Sequence, residues 1–177
     1  MPTLLLAMLT WATWGRAALI KPAHAAALAG LLPKLAEKGG AELTELAVVS
    51  NHVHTMLRLG PACDLSRLVQ YLRGGSALLL NRLIVGHARI RWAEGYDLRS
   101  VDLRSLPQLR QYLDNQGRHH GVPLLVRWSL VKVREEIAVR AGLQPLPHAE
   151  AGLQSGADDT AKRRVSWASD AALSPSD

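Results

Sequence analysis

In the first third of the chain, the pattern of apolar and polar residues predicts a strand, then a helix, then two strands. Residues 3–14 form an apolar run with Thr and Trp, which predicts a first strand. Residues 22–40 are rich in Ala and Leu and end in a glycine pair, which predicts a helix with a kink or break at Pro33. Residues 42–59 then predict two antiparallel strands, joined tightly around Asn51.

The middle of the chain repeats this order of a helix and a strand. Residues 64–84 have the helical period, with Asp64 as the predicted N-cap and a glycine pair at Gly74–Gly75 that weakens the middle of the helix. The leucines predicted on its buried side are Leu65, Leu68, Leu72, Leu79 and Leu83. Residues 88–101 alternate well enough for one further strand or two.

Two more helices are predicted after this strand. One starts near Ser105, carries Pro107 in its first turn and is closed by residues 121–123. A last helix is predicted over residues 133–142. Beyond it the composition turns to Pro, Ala, Gly, Ser and Asp, so residues 143–177 are predicted to be a flexible tail.

The order of elements predicts an α+β fold in a single domain over residues 1–142. Strand, helix, strand, strand, helix and strand is the ferredoxin-like split β-α-β-β-α-β arrangement, an antiparallel sheet with helices packed on one face. The helix from Ser105 follows this unit as an addition.

The charge of the chain favours a polyanionic partner. The 177 residues carry a formal net charge of +6, and arginines spread through the body of the chain supply most of the positive charge. A guanidinium suits phosphate recognition better than an ammonium, although a solvated basic surface would have the same composition. Cys63 is the single cysteine, and the apolar start is too short to span a bilayer. We therefore expect a cytoplasmic protein with no membrane partner.

The stretch "SNHVHTML" places two histidines one residue apart in an apolar run. On a strand, His52 and His54 share one face about 7 Å apart, while Val53 points the other way. Two imidazoles on one face are half of a metal site, but a His-x-His pair also occurs by chance.

A second pair of polar residues lies on the predicted helix from Ser105. Tyr112 and Gln116 are four residues apart, so they share one helical face about 6 Å apart along the axis. A phenol can form a covalent intermediate, and an amide oxygen can complete a coordination sphere begun by two imidazoles. A surface pair would have the same spacing.

The segments "NHVHTML", "LRGGSALLLNR", "WAEGYDLRSV" and "YLDNQGRHH", in that order, resemble the single-tyrosine (HUH) transposases of bacterial insertion sequences and their REP-associated relatives. The resemblance covers roughly residues 3–120. It implies that His52, His54 and Gln116 bind a divalent metal, Mg²⁺ or Mn²⁺, and that Tyr112 is the nucleophile. It also implies cleavage and rejoining of hairpin-flanked single-stranded DNA through a 5′-phosphotyrosine, usually in a homodimer whose tyrosine helices are exchanged.

Other functions stay open at this point. A replication or conjugation nuclease shares the paired histidines, and so does a metal-dependent hydrolase, which would need a carboxylate partner. A DNA-binding relative could keep the fold and lack the chemistry.

His119 and His120 could assist Tyr112, but polar residues at a fraying helix end are the favoured interpretation. Most of the tryptophans, Trp11, Trp14, Trp92 and Trp128, are expected in the core, although any of them could stack on unpaired bases.

Overall fold

A five-stranded antiparallel sheet forms the centre of the molecule. The computed structural model describes residues 5–86 and 88–130. Its strands are β1 (Leu5–Ala12), β2 (Ala41–Val49), β3 (His52–Leu59), β4 (Asp97–Val101) and β5 (Leu124–Ser129). The spatial order is β4-β1-β3-β2-β5, so the first four strands have the ferredoxin-like order and β5 extends the sheet beyond β2. The predicted α+β class is confirmed.

Helices α1 (Pro22–Lys38), α2 (Leu65–Gln70) and α3 (Ser76–Leu83) cover one face of the sheet. Because side chains alternate along a strand, every second residue of β3 points to these helices. Val53 and Leu57 do so and lie in the main hydrophobic cluster with Leu28 and Leu32 of α1. Helix α1 is continuous through Pro33.

A π-helical turn, Tyr71–Gly75, connects α2 to α3 at the predicted weak point. A π turn adds one residue, which rotates the following helix relative to the preceding one. Leu68 and Leu72 are buried as predicted. After the π turn Leu80 is fully buried, whereas Leu79, which was predicted on the buried side, is half-buried and packs against the core. The prediction that Leu65 and Leu83 are buried was wrong, since these side chains are 41% and 64% exposed.

Helices α4 (Leu106–Asp114) and α5 (Gln116–His120) lie against the opposite face of the sheet. Leu106 packs there with Leu6 of β1 and Met56 of β3 in a second, smaller cluster. The sequence predicted one helix across this region, whereas the structure interrupts it at Asn115, which has φ −95° and ψ 8°. Gly121 ends α5 in the left-handed conformation.

Two strand assignments differ from the predictions. Only the last five residues of the strand predicted over 88–101 form β4, and the part before it pairs locally through the bridge between Thr13 and Trp92. Strand β5 was not predicted. The predicted helix over 133–142 and the predicted tail over 143–177 lie outside the described residues. Within the described part of the chain, no helix is long and apolar enough to cross a membrane.

Candidate active site

His52 and His54 lie on the central strand β3 and face α4 and α5. Both side chains are 4% exposed, and their rings meet edge to face with centroids 4.7 Å apart. The prediction that they share one face is therefore confirmed. They point away from the main core, because the intervening Val53 belongs to that core.

An amide oxygen lies within 3.3 Å of each ring nitrogen of His52. Nδ1 lies 2.7 Å from the amide oxygen of Asn51, so the proton is on Nδ1 and the lone pair is on Nε2. Nε2 in turn faces Oε1 of Gln116 at 3.3 Å. The amide of Gln116 is held in this orientation because its nitrogen donates to the carbonyl oxygen of Tyr112 at 3.1 Å. Two acceptors thus face each other, an arrangement that a cation between them stabilises.

His54 also has a ring nitrogen that lacks a protein partner. Its Nδ1 lies 2.8 Å from the hydroxyl of Thr10 on β1. Its Nε2 is buried and has no hydrogen-bond partner among the described residues. An imidazole whose outer nitrogen is hydrogen-bonded while the inner one is left open is the usual arrangement of a metal-binding histidine.

Tyr112 and Gln116 lie across the break between α4 and α5 and both reach the histidine pair. The Tyr112 ring is half-buried and meets the His54 ring edge to face, with centroids 5.6 Å apart. Gln116 is fully buried. The four residues singled out in the sequence therefore come together within one chain. In this arrangement the tyrosine helix packs on its own histidine pair, whereas the resemblance implied exchange between two subunits.

His119 and His120 lie at the same site, although the sequence favoured a fraying helix end. The His120 ring packs on His52 with centroids 4.6 Å apart, and the His119 ring packs on Tyr112 at 5.5 Å. The break at Asn115 and the left-handed Gly121 bring this short helix over the histidines. The one signal in the sequence was the position of His119, seven residues after Tyr112, on the same helical face.

Burial favours the neutral form of the imidazoles of His52, His54 and His120. It lowers the pKa of His52 to about 4, with smaller coulombic contributions from His120 and Arg16, while the Gln116 oxygen, which would accept a hydrogen bond from the protonated ring, opposes the shift. Burial and then the neighbouring His52 lower the pKa of His54 to about 3. The pKa of His120 is also lowered, first by burial and then by Arg16. Neutral imidazoles offer the lone pairs that metal binding requires.

A divalent cation fits this donor set. Nitrogens of His52, His54 and His120 all lie within 4.8 Å of one another, and Gln116 adds an amide oxygen. The unpartnered Nε2 of His54 and the two facing acceptors at His52 and Gln116 are lone pairs that a bound cation would satisfy. His120 is an additional candidate ligand, which the sequence analysis did not assign.

A buried carboxylate attaches the tyrosine helix to the sheet. A bulge between Leu43 and Glu45 turns Glu45 to the face of α4, opposite Met56. Glu45 is fully buried and binds Arg110 of α4 and Arg127 of β5, each at 2.6 Å. Arg127 also binds Asp114 of α4 at 2.7 Å. Because Arg110 and Asp114 lie on either side of Tyr112, this network fixes the position of the phenol.

Comparisons with known proteins identify the family. A family model described as "Transposase IS200 like" matches residues 3–116. The chain belongs to the IS200-like transposase family. No curated protein sequence matches this transposase significantly. Among solved structures, it is similar to a protein from Deinococcus radiodurans R1 that is described as a transposase, with 26% identity and a TM-score of 0.53, over 66% of this chain and 93% of the other.

A second solved structure supports the same fold. It is a REP-associated tyrosine transposase bound to a REP hairpin, with a TM-score of 0.55 over 92% of this chain and 96% of the other. At 14% identity this likeness shows the fold alone.

Proposed function

We propose that this transposase cleaves and rejoins single-stranded DNA through a covalent bond between Tyr112 and a 5′-phosphate. The observation that carries the proposal is the phenol of Tyr112 beside the His52 and His54 pair, in one chain, with the Gln116 oxygen directed at His52. A nucleophile next to a site for a cation is what phosphoryl transfer without a nucleotide cofactor requires.

The ligands of the cation would be His52, His54 and Gln116, with His120 as a further donor. A cation bound there would neutralise charge on the phosphate oxygens as the phosphorus is attacked. Magnesium prefers oxygen ligands, whereas imidazole nitrogens suit manganese and other transition metals. The imidazole of His120 therefore favours Mn²⁺ over Mg²⁺ among the two ions predicted from the sequence.

In the reaction, the phenolic oxygen of Tyr112 forms a bond to phosphorus and the bond from phosphorus to the 3′ oxygen breaks. The phenol loses its proton and the departing 3′ oxygen gains one, so the products are a 5′-phosphotyrosine and a free 3′-hydroxyl. One phosphodiester replaces another, which makes the step reversible by a second 3′-hydroxyl. His119 packs on the phenol and is the candidate for accepting its proton.

The proposed substrate is single-stranded DNA next to a hairpin. The net charge of +6 favours a nucleic-acid partner, and the similar REP-associated transposase is bound to a hairpin. A homodimer stays a prediction from the resemblance. Because Tyr112 already lies on its own chain's histidines, exchange of the tyrosine helix is not needed to complete the site.

The test is strand cleavage with an end-labelled hairpin oligonucleotide, for wild type and Tyr112→Phe, with Mn²⁺ or with a chelator. We expect wild type to cleave the DNA in the presence of Mn²⁺ and not in the presence of the chelator. Tyr112→Phe should bind the DNA as tightly as wild type, because the ring and the arginines remain, but should not cleave it. Cleavage by Tyr112→Phe at the wild-type rate would overturn the proposal.

A further inference from the structure

The turn that follows β1 has a strained backbone next to the histidine cluster. Residues Trp14–Arg16 form a single 3₁₀ turn in which Gly15 has φ 60° and Arg16 has φ 52°. Among residues 5–86 and 88–130, Arg16 is the one non-glycine residue with a positive φ. Such a conformation costs free energy and persists only where its surroundings impose it, most often at functional sites.

Hydrogen bonds tie this turn to the strand that carries the histidines. The backbone N–H of Thr13 donates to the carbonyl oxygen of Asn51 at 2.9 Å, and the Thr13 hydroxyl also reaches that oxygen at 3.1 Å. Asn51 is the residue whose amide oxygen orients His52. The position of the turn is therefore fixed relative to the site.

Arg16 brings a positive charge to a site made of neutral groups. Arg16 lies three residues after Thr13, which is hydrogen-bonded to Asn51 beside His52, so its turn lies next to the cluster. Its charge also contributes to lowering the pKa of both His52 and His120. The side chain is exposed, and within the described ranges no carboxylate pairs with it. An exposed guanidinium without an anionic partner, on a turn that is hydrogen-bonded to the residue before His52, has the charge to bind a phosphate.

Trp14 adds an exposed aromatic surface to the same turn. Its side chain is 45% exposed, whereas Trp11 and Trp92 are buried in the core at 1% and 8%. The guanidinium of Arg91 lies 3.8 Å from the centre of the Trp14 ring. The backbone holds this pair together, because the N–H of Trp14 donates to the carbonyl oxygen of Arg91 at 2.8 Å. Aromatic rings next to arginines are typical surfaces for stacking on unpaired bases.

We propose that Trp14, Arg16 and Arg91 form a subsite for single-stranded DNA, in which Arg16 binds the reacting phosphate and Trp14 stacks on an adjacent base. This inference rests on the proposed function, since it names the residues that hold that substrate. Trp14, Gly15 and Arg16 are three successive positions of one turn. The turn therefore positions a base and its phosphate together.

The first test uses fluorescence anisotropy to measure how tightly the protein binds a short, fluorescently labelled single strand of mixed sequence. The affinity is measured at several salt concentrations. Arg16→Ala should reduce the slope of log affinity against log salt by about 0.7, the value for one lost phosphate contact on a single strand. Arg67→Ala is the matched control, since Arg67 is exposed on α2, on the opposite face of the sheet. It should leave the slope unchanged.

The second test separates stacking on a base from a structural role of Trp14. Trp14→Ala should weaken binding about tenfold, and Trp14→Phe should restore most of the loss because the phenyl ring still stacks. When a single abasic site is moved along the oligonucleotide, wild type should bind more weakly at the one location where the missing base would stack on Trp14. Trp14→Ala should bind all of these oligonucleotides equally, and a change in folding alone would not remove this difference.

The outcomes separate this inference from the proposed function. If wild type binds and cleaves DNA but Arg16→Ala and Trp14→Ala match Arg67→Ala in affinity, salt slope and abasic profile, the subsite is overturned and the proposed function stands. If wild type binds no single-stranded DNA, both are overturned.

Discussion

The network around Glu45 gives the sharpest prediction about how the site is held together. Replacing Glu45 with Gln keeps the shape of the side chain but removes the charge that binds Arg110 and Arg127. The two guanidiniums are only 16% and 20% exposed, so water can replace the carboxylate in part. Removing one partner of a buried ion pair costs about 3 to 5 kcal/mol, and this partial access to water favours the lower end.

We therefore expect Glu45→Gln to lower the free energy of unfolding by about 3 kcal/mol, which corresponds to a decrease in Tm of roughly 6 to 12 °C for a chain of this size. Urea denaturation followed by circular dichroism measures the change. The matched control is Glu42→Gln on the same strand, whose ion pair with Arg58 is more exposed, at 38% and 32%. Its expected cost is less than about 1 kcal/mol.

A double-mutant cycle assigns the effect to the link between β2 and α4. Combining Glu45→Gln with Arg110→Met should cost less than the sum of the single changes, by about 1 to 3 kcal/mol, because both remove the same contact. Cleavage should decrease more than DNA binding, since Arg110 lies two residues before Tyr112. Equal stability of Glu45→Gln and Glu42→Gln would show that the buried charge of Glu45 does not attach α4 to the sheet.

Three further predictions concern the histidines and the glycine beside them. In the presence of a chelator, the free energy of unfolding should be constant above about pH 7 and should fall as the pH drops from 6.5 toward 4, because the unfolded chain binds protons that His52 and His54 resist in the folded state. By about pH 4.5 each histidine contributes a loss of roughly 3 kcal/mol, and denaturation of a His52→Ala, His54→Ala double variant should show a smaller loss. Calorimetric titration with Mn²⁺ should show a binding site in wild type and none in the double variant, and equal binding by both would place the metal elsewhere. Gly117→Ala should destabilise the protein by about 1 to 3 kcal/mol in thermal denaturation, because the new Cβ would lie 2.9 Å from the carbonyl oxygen of Val122 and the backbone would have to shift; an unchanged Tm would contradict this close contact.

The sequence predicted the elements that have a strong helical period or a continuous apolar run. The strand period alone places His52 and His54 on one face, and the helical spacing places Tyr112 and Gln116 together. Gly117 directly follows Gln116, and glycine is a weak helix former. Its backbone lies against Val122 and the next strand, which explains why a larger residue does not fit there.

What could not be predicted depends on single residues that change the direction of the chain. Strand β5 is a short, half-buried edge strand, so it lacks the alternation that marks a strand. The bulge at Thr44 turns Glu45 toward α4, and no pattern in the sequence marks it. The break at Asn115 brings His120 to His52, whereas an unbroken helix would carry it past the site.

In the proposed reaction Tyr112 becomes covalently attached to DNA, and mass spectrometry of the denatured protein detects this bond. Wild type incubated with Mn²⁺ and a hairpin-flanked single strand should yield an adduct that survives denaturation, with a 5′-phosphonucleotide on the peptide that contains Tyr112. Tyr112→Phe should yield none. The chain has two other tyrosines, Tyr71 and Tyr96. An adduct on either of them, or cleavage by wild type with no adduct at all, would contradict the account.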